Sequence, residues 1–87
     1  MAKYKIFVKA SAAKEIEKIP TKKDRRRIIK KIKSLSDNPR PGGSVKLSGE
    51  DKYRLRRGNY RIIYSIEDDK LIVHIVKVGH RKDVYRN

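Results

Sequence analysis

Between Lys52 and Arg61 the chain reads KYRLRRGNYR, five basic residues with no acid among them. A guanidinium is planar, offers paired N–H donors and keeps its charge at any pH a protein meets, so a cluster of arginines suits a phosphate. Tyr53 and Leu55 alternate with Lys52, Arg54 and Arg56, which is the period of a strand. Gly58-Asn59 supplies a tight turn, and Tyr60 to Ile66 forms the returning strand. In that register Arg57 faces Tyr60, Arg56 faces Arg61, Leu55 faces Ile62 and Arg54 faces Ile63. One face then carries Tyr53, Leu55, Tyr60, Ile62, Tyr64 and Ile66 toward a core, and the other carries Arg54, Arg56 and Arg61. Like charges directly opposed destabilise a sheet, so opposed arginines without a neighbouring acid point to an absent anion. The plainer alternative is a solvated charged strand.

The elements that must position this hairpin are legible as patterns. Lys3 to Val8 alternates as a half-buried strand, with Tyr4, Ile6 and Val8 on one side. Ser11 can cap a short helix whose inward face is Ala12, Ile16 and Ile19 and which Pro20 ends. Thr21 and Asp24 have capping-box spacing. They open a second helix that runs to about Ser36, with Ile28, Ile29, Ile32 and Leu35 as its apolar stripe. Asn38 to Ser44 is loop by composition. With Asp68-Asp69 as a turn, Leu71 to Val78 is a further strand, in which Tyr64 faces Val73, Ile63 faces His74 and Arg61 faces Val76. His74, Ile63, Ile72, Val76 and Val78 would then share the arginine face, an apolar floor suited to a cleft or a covered groove. Gly79 marks a break before the tail HRKDVYRN. The expected fold class is α+β: an N-terminal strand, a helical hairpin and a three-to-four-stranded antiparallel meander, β-α-α-β-β-β, as a single domain over residues 1–87.

Composition bounds the partners. Lys and Arg number 25 against 10 Asp and Glu, a formal charge of +15 over 87 residues. Such a balance draws polyanions, nucleic acid before membrane surfaces or acidic proteins. Lys22 to Lys33 alone holds eight basic residues and one acid, either a wet helix face or an extension of a polyanion footprint. With no cysteine there is no disulfide and no thiolate metal site. No apolar run approaches the roughly 20 residues that span a bilayer, and no signal peptide is evident, so a cytoplasmic protein is expected.

The segment KLSGEDKYRLRRGNYRIIYSI, followed by VGHRKDVY, resembles the RelE/ParE superfamily of bacterial and archaeal toxins, its RelE branch most closely. The likeness covers nearly the whole chain, from the early strand and helical hairpin to the tail motif HR-x-x-x-Y. It implies the toxin of a toxin–antitoxin system: an endoribonuclease that cleaves mRNA in the ribosomal decoding site and is neutralised by a cognate antitoxin. In that chemistry the nucleotide's own 2′-OH attacks the adjacent phosphate, so neither metal nor cofactor is implied. The partners implied are the antitoxin, the ribosome with its rRNA, and mRNA. The family's functional positions fall on Arg54, Arg56, Arg61, Arg81 and Tyr85. Lys46, Lys52, Arg57 and His80 are the implied RNA contacts, and Lys46, Lys52 and His80 are also reserve proton carriers.

In-line displacement at phosphorus builds negative charge that Arg56, Arg61 and Arg81 could stabilise. It also needs a proton acceptor and a donor. Well-known RelE members carry lysines where this chain has Arg54 and Arg56, and an arginine does not give up its proton. Tyr85 is a candidate for proton transfer, or for stacking on a base. Two other functions compete: a ParE-like toxin that acts on DNA gyrase without cleaving RNA, and a non-catalytic RNA-binding module.

Overall fold

Apolar residues at 12, 16 and 19 and at 28, 32 and 35 recur at helical spacing, and each set is the buried face of a helix together with the first residues past its end. The computed structural model describes residues 3–49 and 51–80. Along the chain run β1 (Lys5–Val8), α1 (Ala10–Glu17), α2 (Lys22–Ser34), β2 (Val45–Lys46), β3 (Tyr53–Arg57), β4 (Tyr60–Glu67) and β5 (Ile72–His80). The strands form one sheet in the order β1-β5-β4-β3-β2. β2 to β5 make the antiparallel meander, at its full four strands. β1 joins β5 in parallel, so the sheet as a whole is mixed. A parallel pair needs a crossover connection, and the helical hairpin begins it.

The core lies between the helices and one face of the sheet. Ala12, Ile16, Ile19, Ile28, Ile32 and Leu35 pack against Leu55, Ile62, Tyr64, Val73, Ile75 and Val78. Full burial of each isoleucine, leucine or valine contributes roughly 1.5–3 kcal/mol. Tyr64 is the largest fully buried side chain, and its hydroxyl donates to the Pro39 carbonyl at 2.8 Å, tying the loop after α2 to the sheet.

The helix ends follow local chemistry, with corrections. Thr21 caps α2: its Oγ1 accepts from the Asp24 N–H at 3.3 Å and donates to the Asp24 carboxylate at 2.7 Å. α2 ends at Ser34, earlier than the apolar stripe suggested, and Ile29 is 37% exposed rather than part of the buried face. Ser11 does not cap α1. The Lys9 carbonyl already accepts from the Ala13 N–H at 2.9 Å, so Lys9 is the cap and Ser11 lies inside the helix. Arg25 of α2 donates to the Ile19 carbonyl at 3.1 Å and closes the helical hairpin.

The expected pairing of β4 with β5 is wrong by two residues. The connection is four residues long, Asp68 to Leu71, and Leu71 takes a positive φ of 55° within it. Tyr64 therefore faces Ile75 and Ser65 faces His74. A bulge follows: Ile63 faces Lys77, leaving Val76 as the extra residue. The bulge reverses which side chains point inward, so Val78 leaves the arginine face for the core. It also carries the strand through Gly79, where a break was expected, to His80. β1 is an edge strand, and Val8, expected to face inward with Tyr4 and Ile6, is exposed along with Phe7. Among the described residues no helix is long and apolar enough to cross a membrane.

Candidate functional site

The hairpin forms in the expected register, pair for pair: Arg57↔Tyr60, Arg56↔Arg61, Leu55↔Ile62, Arg54↔Ile63. Gly58 makes this possible, since it takes φ 61° at the first turn position, where a side chain would be strained. Side chains directly opposed across strands start about 5 Å apart, so Arg56 and Arg61 share one patch, with Arg54 next along β3. Their exposure is graded. Arg61 is only 4% exposed, Arg54 is half-buried and Arg56 stands in solvent. Ile63, also buried, is the apolar floor beside them. A cation sunk beside such a floor acts on an anion through a lower dielectric than water, which strengthens its pull. Opposite Arg61 on its other side lies Gly79, a placement that follows from the bulge.

β2 is only two residues long and pairs through Val45↔Arg54 and Lys46↔Tyr53. The edge of β3 from Leu55 onward lies beyond that pairing. A groove of about 340 Å³ runs along it, lined by Lys31, Gly42, Gly43, Arg54, Arg56 and Arg57. A second hollow of about 270 Å³ continues over α2 past Arg27, Lys30, Lys31, Ser34 and Arg57. Lys31 and Arg57 border both, so the charge run of α2 and the arginines of the hairpin form one track.

The remaining candidates divide. Lys52 precedes β3 in phase with Arg54 and Arg56. Lys46, opposite Tyr53, and Arg57, opposite Tyr60, point to the helix side. His80 also faces Tyr60, with the rings edge to face at 5.7 Å. Arg81 and Tyr85 lie outside the described residues. His74 is not opposite Ile63. It bonds Glu67 at 2.6 Å and stacks on Phe7, and that bond holds the Glu67 carboxyl below its ordinary range. Among the described residues no group of three or more His, Cys, Asp or Glu side chains could hold a metal ion.

Sequence reading missed a latch. Arg40, in the loop after α2, donates to both carboxylate oxygens of Asp68 at 3.1 and 2.8 Å and to the Tyr53 hydroxyl at 3.0 Å. The Tyr4 hydroxyl donates to the same carboxylate at 2.7 Å. Together these hold the Asp68 carboxyl down to about 2, Arg40 contributing most. Nothing in the PRP sequence around Arg40 signals a partner 28 residues away. Glu15 was also missed: its Oε1 accepts from the Val78 N–H at 3.0 Å. Its signal was present, an acid on the helical stripe of Ala12, Ile16 and Ile19.

Residues 6–85 match the family described as the ParE toxin of the type II toxin-antitoxin system parDE. The chain is 36% identical over 88 residues to a RelE-like toxin protein of Escherichia coli, covering 95% of this chain and 90% of that one. It is 30% identical over 84 residues to the toxin RelE of Mycobacterium tuberculosis, with 95% and 87% covered. Among solved structures, the RelBE2 toxin–antitoxin complex of M. tuberculosis contains a chain that superimposes with a TM-score of 0.80 at 26% identity, over 92% of this chain and 100% of that one. The archaeal RelE–RelB complex from Pyrococcus horikoshii gives 0.78 at 26% identity, with 98% and 99% covered.

Proposed function

The chain belongs to the RelE/ParE family of toxins of type II toxin–antitoxin systems, and from that premise we propose that it is a metal-independent endoribonuclease that cuts mRNA in the decoding site of the ribosome. The observation that carries the proposal is the directly opposed Arg56–Arg61 pair, with Arg61 buried and Arg54 beside it. In the reaction a ribose 2′-oxygen forms a bond to the adjacent phosphorus while the bond to the 5′-oxygen of the next nucleotide breaks. The products are a 2′,3′-cyclic phosphate and a free 5′-hydroxyl. Arg56 and Arg61 oppose the charge that grows on the nonbridging oxygens, where fixed donors lower the barrier most. Arg54 and the groove past Lys31 and Arg57 hold the flanking phosphates. Arg81 adds charge stabilisation. The proton leaving the 2′-OH needs an acceptor that no arginine provides. Tyr85 is assigned to proton transfer, and Lys52, in phase with the arginines, is the reserve acceptor.

The relatives of known structure include toxins bound to their antitoxins. A cognate antitoxin that neutralises the arginine face is proposed here as well. In a purified translation system, the protein is expected to cut mRNA only on ribosomes, and Arg61→Ala, Arg81→Ala or Tyr85→Phe to abolish the cuts. Intact message during growth arrest would overturn the proposal.

A second reading is a ParE-like toxin that acts on gyrase. The match of residues 6–85 to a family described as the ParE toxin favours it, whereas the paired arginines and the HR-x-x-x-Y tail weigh against it. Inhibition of supercoiling by purified protein at the dose that stops growth, with message intact, selects this reading.

A further inference from the structure

β1 accompanies β5 only from Lys5↔Ile72 to Val8↔Ile75. There the Lys9 N–H makes a last bond to the Ile75 carbonyl at 2.9 Å, and the chain turns away into α1. One residue further on, β5 bulges at Val76. Past this point the side of β5 that β1 flanked is taken by α1, and the Val78 N–H is met by the Glu15 carboxylate at 3.0 Å. Glu15 is half-buried on the face of α1 that packs on the sheet, between Ala12 and Ile19. Its oxygen does the work of the absent strand's carbonyl, and a carboxylate acceptor makes a stronger bond than a neutral one.

What this bond holds is the end of β5. Val78 lies opposite Ile62, Gly79 opposite Arg61 and His80 opposite Tyr60, and the next residue in the chain is Arg81. Below the bond is a cleft of about 290 Å³ bordered by Glu15, Lys18, Tyr60, Lys77 and His80, so the segment is not packed in from every side. We propose that Glu15 is a positioning residue for RNA cleavage. By holding the Val78 amide it sets Gly79 against Arg61 and fixes where the chain enters the segment that carries Arg81 and Tyr85. Glu15 does not touch RNA. The inference rests on the nuclease reading, and it predicts an effect on turnover rather than on binding.

The test compares Glu15→Ala with Glu15→Gln, whose amide oxygen can still accept from Val78. Cleavage is measured on purified translating ribosomes, and hydrogen exchange at the Val78 amide by NMR on the free protein. Glu15→Ala is expected to lower kcat about tenfold with KM within about twofold, as misplacement of a reacting geometry does. It should also deprotect Val78, and Glu15→Gln should restore both. If Glu15→Ala does not fold, Glu15→Asp, one methylene too short to reach, carries the same expectation. Wild-type turnover in Glu15→Ala, a loss confined to KM, or a Glu15→Gln no better than Glu15→Ala would each overturn the inference. If the wild-type protein cuts no RNA, the nuclease reading falls on that arm alone. Exchange at Val78 then still judges the bond: the same protection in Glu15→Ala as in wild type overturns it.

Discussion

Arg56 and Arg61 face each other with no acid between Lys52 and Arg61 to offset them, and this has opposite consequences for two measurements. Arg61→Ala removes a fixed donor from the phosphate and should abolish detectable cuts, a loss of about 100-fold or more, whereas Arg61→Lys keeps the charge, loses the paired donors and should recover only part of the activity. Arg56→Ala should also reduce cleavage, yet raise stability by about 0.2–1 kcal/mol because it relieves a like-charge pair. A denaturation midpoint that rises while turnover falls is the signature of side chains placed for an anion; a drop in both would mark the pair as structural. The Arg40–Asp68 latch makes a separate prediction. Its carboxyl titrates at about 2, below the ordinary 3.8. A depressed carboxyl adds stability that is complete above the unfolded-state pKa and is lost as pH falls toward the folded one. Denaturation midpoints should therefore decline between about pH 4 and pH 2, and the decline should be shallower in Asp68→Asn.

At the scale of elements, the hairpin is the part most completely legible in the sequence. Two-residue alternation on both sides of Gly58-Asn59 gives the observed pairs for a two-residue loop, where a three-residue loop would have shifted them, and the turn needs the positive φ that Gly58 adopts. Gly58→Ala should cost about 1 kcal/mol, read from chemical denaturation, because an L side chain is strained there. The helix stripes were legible except at Ile29, which the period placed on the buried face and which is exposed. The β4–β5 pairing was not. Asp68-Asp69 has the composition of a two-residue turn, but Leu71 enters the turn in a conformation that leucine rarely adopts, and no residue type announces the bulge at Val76. The two-residue shift keeps each side chain on its face, and it is the bulge that moves Val78 to the helix side and sets His80 opposite Tyr60. The parallel placement of β1 was also hidden, because it depends on where a distant strand returns. For the site, the shared face of Arg54, Arg56 and Arg61 was readable, whereas the burial of Arg61 and the groove that Arg57 and Lys31 both border required the packed helices.

The whole molecule carries a charge of +15, and its basic groups are not spread at random. Arg27, Lys30 and Lys31 on α2 join Arg57, Arg56 and Arg54 on β3 into one track. Binding to single-stranded RNA should weaken steeply with salt, each neutralised phosphate adding about 0.7 to the slope of log affinity against log salt. Lys31→Ala and Arg57→Ala should each reduce that slope by about 0.7 and weaken binding alike for all sequences, with kcat unchanged. Unequal effects across sequences would mean that they read bases instead. The shortness of β2 has one more consequence. It leaves the edge of β3 with backbone groups that another copy's strand could pair with, the usual route to aggregation. Arg56 and Arg57 stand along that edge, with Arg54 just before it, so two copies approaching it would bring like charges together. The side chains that draw RNA thereby act as gatekeepers against self-association, and a partner that neutralises them must also cover the edge it uncharges.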